Sequence, residues 1–294
     1  MSPSVSKDKS TLVVLFGDPG LFYVDIFNQI APHLTTHKYH FFTEESFREY
    51  LNSAHFTVAL GNQILSLELI EKAHLAATVA LFRTKQWISA TCIGYENHNF
   101  VAWAAGARGL VENTGDILDG LLNVPLSLAT NHAVISKALA GRASDTAFGF
   151  SEIEQYLDHF VLAHWMRAPK GEVRKAKDNA EYVQALEPSI PRVMGFYRRL
   201  CGLTHPSSAS IDYLYEVEGD GLRLDLKRDQ VELDRVRTEF QDVLKELLYY
   251  ACNPPLLTLK VLHKFGHHPR LSALRKLDWG RIPGWAKIER ELRG

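Results

Sequence analysis

Trp103-Ala104-Ala105-Gly106-Ala107-Arg108-Gly109-Leu110-Val111-Glu112-Asn113 reads as the end of a helix, a glycine turn and the start of a short buried strand. Alanines let a helix lie close to a sheet. Gly106 supplies the left-handed residue that ends a helix, and Leu110 and Val111 after Gly109 suit a strand. Those elements in that order make the last unit of a small parallel sheet.

The pattern extends toward the N-terminus. Thr11 to Phe16 is a continuous apolar run, as expected for a central strand covered on both faces, and a Gly17-Asp18-Pro19-Gly20 turn follows it. Phe22, Ile26 and Ile30 recur at helical spacing. Tyr39 to Phe42 reads as a second strand, Phe47, Tyr50 and Leu51 as a short helix, and Phe56 to Leu60 as a third strand. Leu67, Leu69, Ile70, Ala73 and Ala77 mark another helix, and the fourth strand falls at Trp87 to Ile93 or at Val79 to Phe82. Beyond Asn113, Ile117, Leu118, Leu121 and Leu122 form a closing amphipathic helix. Parallel neighbours need crossover connections, so the expected fold over 11–123 is an α/β doubly wound parallel five-stranded sheet.

The remainder has a different period. Residues 124–149 read as a linker, and 150–294 as a mainly α-helical domain with a β-hairpin over 213–226 around Gly219-Asp220-Gly221. Ser151 with Glu154 has the form of a capping box. Ile153, Tyr156, Leu157, Phe160, Val161, His164 and Trp165 follow along one helical face. Ile190, Val193, Met194, Tyr197, Leu200, Cys201 and Thr204 trace a second stripe. Leu233, Val236, Phe240, Val243, Leu244 and Leu247 trace a third, which Asn253-Pro254-Pro255 is expected to stop.

A length of 294 residues suits two domains. No apolar run approaches the roughly 20 residues needed to cross a bilayer, and the first ten residues lack the apolar core of a signal peptide. The expectation is a soluble cytoplasmic protein with no membrane partner. Cys92, Cys201 and Cys252 lie far apart, without disulfide or zinc-finger spacing. The net charge is −1, but Lys260 to Arg293 holds nine Lys/Arg against three Asp/Glu. That basic C-terminal segment permits an acidic partner, RNA among them.

The quoted stretch resembles the final helix and strand of bacterial response-regulator receiver domains, which carry an Ala-Gly-Ala-Arg-Gly turn before apolar residues and a lysine. The likeness runs over about 11–123 and implies a set of site positions. Asp18 stands for a metal-binding carboxylate, Gly61 for the phospho-acceptor, Thr91 for the fourth-strand hydroxyl and Asn113 for the lysine. Gly61 has no side chain to phosphorylate and Gly17 replaces the second carboxylate. The resemblance therefore implies a phosphorylation-incompetent, pseudo-receiver regulatory protein that signals by binding a protein or small ligand. It also implies a homodimer through Ala102 to Leu122.

A second resemblance lies in Phe196-Tyr197-Arg198-Arg199-Leu200-Cys201-Gly202-Leu203-Thr204-His205. Arg198 or Arg199 with His205 is similar to the Arg-x(4–6)-His motif of HEPN-superfamily helical domains, some of which are metal-independent ribonucleases. This implies an alternative function in which His205 moves the proton at a ribose hydroxyl and an arginine steadies the phosphate. A third reading is a DNA-binding regulator, from the helix-turn-helix residue types of Asn131 to Gly141.

His263, His267 and His268 could suggest a metal. No Cys, Asp or Glu lies near them in sequence, and Gly266 and Pro269 break any helix that would align them. His37, His40, His98 and His132 show no ligand spacing. The expectation is no metal site and no cofactor. Phosphate-loop, nucleophile-elbow, CxxC and HExxH patterns are absent from the sequence.

Overall fold

A computed structural model describes residues 5–53, 55–143, 146–163, 175–225 and 228–293. The Trp103–Asn113 stretch lies in the middle of one helix, α5 (Phe100–Leu121), and no strand begins there. Its two glycines serve close packing. A Cβ on Gly106 would lie 2.7 Å from the Thr91 backbone nitrogen, and one on Gly109 would lie 2.4 Å from the Trp87 ring. Thr91 and Trp87 belong to α4 (Val58–Glu96), whose Gly94 would in turn meet the Trp103 nitrogen at 2.4 Å. Descending positions on α4 meet ascending positions on α5, the register of an antiparallel helical hairpin. A glycine inside a helix usually has such a packing reason.

The true helix end is Asn97-His98-Asn99. The Asn99 amide donates to the Gly94 carbonyl (3.0 Å) and the His98 amide to that of Tyr95 (3.0 Å), with His98 in the left-handed region at φ 51°. This is the Schellman arrangement with histidine where glycine is usual. Asn99 Oδ1 then accepts from the Ala102 amide at 2.9 Å and caps α5.

The expected parallel five-stranded sheet is absent from the described residues, and with it the receiver fold. Thr11–Phe16 lies in α1 (Val5–Phe16), where Leu12, Leu15 and Phe16 are buried while Val13 and Val14 are exposed. That is helical periodicity, which a six-residue apolar run is too short to reveal. Gly17 (φ 66°) ends α1, and Asp18 opens α2 (Asp18–Leu34). Tyr39–Phe42 has no regular secondary structure and forms no strand, and Phe56–Leu60 runs into α4 after the short α3 (Glu44–Leu51). Both candidates for the fourth strand lie within α4. Its buried positions Ala73, Ala77, Ala80, Thr84, Ile88 and Thr91 recur every three or four residues, which a strand cannot do.

Residues 124–139 form α6 (Val124–Thr130) and α7 (His132–Leu139). Then come α8 (Ser151–Leu162), α9 (Asn179–Leu186) and α10 (Val193–Thr204). His164 and Trp165 lie outside the described residues. Ser151 sits in the first turn of α8, and the residue before it, Phe150, provides no side-chain cap. The hairpin forms as expected, from β1 (Tyr215–Glu218) and β2 (Gly221–Leu224) paired antiparallel, and Leu226 lies outside the described residues. The chain continues with α11 (Arg228–Glu239), α12 (Gln241–Phe265), α13 (Ser272–Lys276) and α14 (Trp285–Arg293). Helix α12 runs through Pro254 and Pro255 instead of stopping there. Among the described residues no helix is long and apolar enough to cross a membrane.

The chain divides into two units, each gathered from three stretches. The first comprises 1–28, 81–118 and 178–252 and is built on an aromatic core. Trp103 faces Phe196, Phe196 stacks near Phe240 at 4.9 Å, and Phe100 meets Tyr213 edge-on at 5.1 Å. The second comprises 29–80, 119–177 and 253–294, with Leu69, Ile70, Ala73, Leu128, Leu157, Leu259 and Leu262 in its core. There the Asn62 amide donates to the carbonyls of Ala143 (2.8 Å) and Thr146 (2.9 Å), fixing the irregular chain between α7 and α8. Helix α14 lies against α6.

Candidate metal centre

In the second unit, three distant stretches of sequence deliver donor side chains to one place. On α4, Glu71, His74 and Thr78 are spaced by three and four residues and so share one face. Past the end of α2, His37 and Tyr39 come from the chain that leaves the helix. Beyond α12, Gly266 takes φ 73°, which turns the chain and sets His267 and His268 against the same face of α4.

Glu71 is the anionic centre of the cluster. Its Oε2 lies 2.9 Å from His37 Nε2 and its Oε1 lies 2.6 Å from His267 Nε2. Tyr39 Oη is 2.7 Å from His74 Nδ1, leaving Nε2 as that ring's other nitrogen. The rings of His74 and His268 stack at 3.9 Å, and that of His37 lies 5.2 Å from His74 and 5.0 Å from His268. Two overlapping donor groups result, His37 with His74 and His268, and Glu71 with His267 and His268. Within each, the potential ligand atoms all lie within 4.8 Å of one another. Glu71, His74 and His268 are buried, His37 is half-buried and His267 is exposed.

Protonation follows from this setting. Burial, reinforced by the facing His268 and His37, pushes His74 down to about 2. Burial pushes His268 down to about 4 against the attraction of Glu71. For Glu71 burial acts upward, but hydrogen bonds from His37 and His267 outweigh it and hold the carboxyl below its usual range. Burial raises the Tyr39 hydroxyl. Near neutral pH the cluster therefore has two uncharged buried imidazoles beside an ionised carboxylate, the forms in which these side chains ligate metals. His268 Nε2 lies 3.4 Å from the Ile70 carbonyl, while its Nδ1 is buried with no hydrogen-bond partner. Buried polar atoms are nearly always satisfied, so an orphaned ring nitrogen calls for an unplaced water or ion. A cavity of 340 Å³ lined by Gln63, Leu67, Leu139, Phe265, Gly266 and His267 adjoins the cluster through His267.

Of the residues singled out in the sequence, His267 and His268 enter this centre and His263 stands beside it, accepting the Leu271 amide at Nε2 (3.3 Å). Glu71 and His74 were missed. Their i, i+3 spacing on one helix was the available signal, the Glu-x-x-His pairing that helical metal proteins present inward.

Asp18 is exposed at the start of α2. Thr91 bonds its own helix at the Trp87 carbonyl (2.8 Å), and the Asn113 amide donates to Thr84 Oγ1 (2.9 Å). Gly61 belongs to the second unit, packed on the Phe56 ring. Within the first unit, His205 is exposed at the end of α10. The arginine that meets it is Arg108 of α5, with Nη1 2.9 Å from His205 Nε2. Arg198 lines a separate depression with Gln184, Glu187, Pro188 and Met194, and Arg199 faces Glu232 at 3.9 Å. Comparisons with protein-family models, with curated proteins and with solved structures gave no match to this chain.

Proposed function

We propose that this chain is a metalloprotein that holds one divalent first-row transition-metal ion through His37, His74 and His268. Glu71 is the carboxylate partner that orients the donor rings, and a small ligand reaches the centre from the adjoining 340 Å³ cavity. One observation carries the reading. Five donor side chains from three distant segments converge, and the one common to both donor groups, His268, has a buried Nδ1 without a partner. Burying an unsatisfied polar group costs several kcal/mol at the upper end, and an ion bound at that nitrogen would remove the cost. Three imidazoles with room for a further ligand is the donor set of sites that use an ion as a Lewis acid toward water or a polar group. Glu71 between His37 and His267 matches the carboxylate–histidine pairing by which outer residues fix ligand rings.

The test is metal content and titration on untagged protein. Wild type should retain or take up one equivalent of Zn²⁺ or Co²⁺. His268→Ala and His74→Ala should lose it, and Glu71→Gln should weaken it by roughly 10- to 100-fold. Equal uptake by wild type and His268→Ala refutes the reading.

A second reading, a metal-independent ribonuclease, is favoured by the Arg108–His205 pair on an exposed surface. It expects RNA cleavage that survives EDTA and disappears in His205→Ala.

A further inference from the structure

The second unit holds another recess, and the side chains that border it are all basic or imidazole, presenting mostly their carbon stems to it. Lys260, His263 and Lys264 from α12, Arg270 from the turn after it and Arg275 from α13 enclose 180 Å³. That is below the ~300 Å³ at which pockets for drug-sized ligands begin, so it suits one small charged group.

Among the described residues, no carboxylate lies within ion-pair distance of Lys260, Lys264, Arg270 or Arg275, and Glu289 is the one acid that reaches Lys260 electrostatically. Burial lowers the Lys260 ammonium from its ordinary range, and Lys264 and Arg275 push the same way. Burial first, then Lys260, Arg270 and Arg275, hold His263 down to about 4, so it is neutral at pH 7 and adds no charge. The negative end of the α12 dipole accounts for Lys264 in its last turn. It does not account for Lys260 one turn earlier, or for Arg270 and Arg275 beyond the helix.

The recess is also pre-formed. Lys260 Nζ sits 4.9 Å from the Trp279 ring centre and 5.7 Å from that of Trp285, and Trp279 Nε1 is tied to the Leu274 carbonyl at 2.8 Å. The cation is thus held in place before any ligand arrives. The Leu271 amide bond to His263 pins the turn that carries Arg270.

We infer that this recess binds the phosphate group of a small phosphorylated ligand. Arginine forks and lysine point charges are the residues that recognise phosphate oxygens, and fixed donors cost less ordering on binding. The inference stands apart from the metal reading, although Arg270 leaves the same turn as His268 two residues earlier.

The experiment is calorimetric titration of the full chain with pyrophosphate, and separately with inorganic phosphate, in EDTA at low salt so that binding to a metal is not what is read. Wild type should bind pyrophosphate, and Lys264→Gln/Arg275→Gln should weaken it by roughly tenfold or more. Both side chains are exposed, so unfolding curves and metal uptake should match wild type. A single-stranded RNA of 20 nucleotides forms the third arm. Absent pyrophosphate binding, equal binding by the double variant, or RNA binding that depends on these residues while pyrophosphate binding does not, would each overturn the proposal.

Discussion

The contact between α4 and α5 gives the sharpest test of the fold, through one substitution made at two sites. In Gly94→Ala the new Cβ would lie 2.4 Å from the Trp103 nitrogen, 2.6 Å from its Cα and 2.9 Å from the Ala102 carbonyl carbon. These are backbone atoms of the first turn of α5, and no rotamer change can move them aside. Relief requires the helices to separate by about 1 Å, enough to forfeit a quarter to a half of each dispersion contact across the seam. Overpacking of this kind costs ~1–3 kcal/mol. Alanine regains at most ~1 kcal/mol of helix propensity, and less near the C-terminus of α4. The net expectation is a loss of ~1–2 kcal/mol, or several degrees in Tm at ~2–4 °C per kcal/mol. Gly195 on α10 supplies the control. It is exposed, and a Cβ there meets nothing within 4 Å, so Gly195→Ala should raise stability by up to ~1 kcal/mol. Urea unfolding followed by circular dichroism at 222 nm reads both. A neutral or stabilising Gly94→Ala would refute the close approach, and with it the explanation of Gly106 and Gly109.

Two further changes probe other joints. His98→Gly removes a left-handed β-carbon at φ 51° from the turn between α4 and α5, and should raise the unfolding free energy by ~0.5–1 kcal/mol in the same assay. His263 is neutral when folded, and burial holds it down to about 4. The unfolded chain therefore binds a proton that the folded one refuses once pH drops below about 6.5. Stability from this group is complete above that pH and falls as pH drops toward 4. In EDTA the wild-type urea midpoint should decline more steeply between pH 7 and pH 5 than that of His263→Gln. Parallel slopes would count against a half-buried neutral imidazole.

Legibility from sequence was uneven, for physical reasons that particular residues show. The hairpin around Gly219-Asp220 was readable because a two-residue turn and alternating flanks are local signals, and its register, Val217 opposite Leu222, needs nothing from the rest of the chain. The stripe of α10 was readable because it spans several turns, whereas the expected third stripe divides between α11, which carries Leu233 and Val236, and α12, which carries Val243, Leu244 and Leu247. The first half misled because its apolar runs are short. Thr11–Phe16 and Trp87–Ile93 are as compatible with a covered strand as with a helix packed by its neighbours, and only their continuation decides. Ala73, Ala77, Ala80, Thr84, Ile88 and Thr91 continue the α4 period through both proposed strand positions. Gly106 misled more deeply. A glycine that ends a helix and a glycine that admits a neighbouring backbone look alike in one dimension, and what separates them is the Thr91 backbone, fifteen residues away across the seam.

The donor cluster was hidden for the complementary reason. Metal-ligand spacing is legible when the ligands share one element, and here one element supplies only Glu71 and His74. His37 and His268 reach them from segments more than 30 and more than 190 residues distant, so no window of sequence contains the set. Gly266 and Pro269 argue against a helix carrying His263, His267 and His268 together, and the helix does end at Phe265. That break is what makes the site. It turns His267 and His268 away from the α12 axis and onto the face of α4 where Glu71 and His74 stand, while His263 stays behind on the helix and lines the basic recess. A helix that continued through residue 268 would have kept the three histidines in one stripe and left Glu71 with His37 as its only imidazole partner.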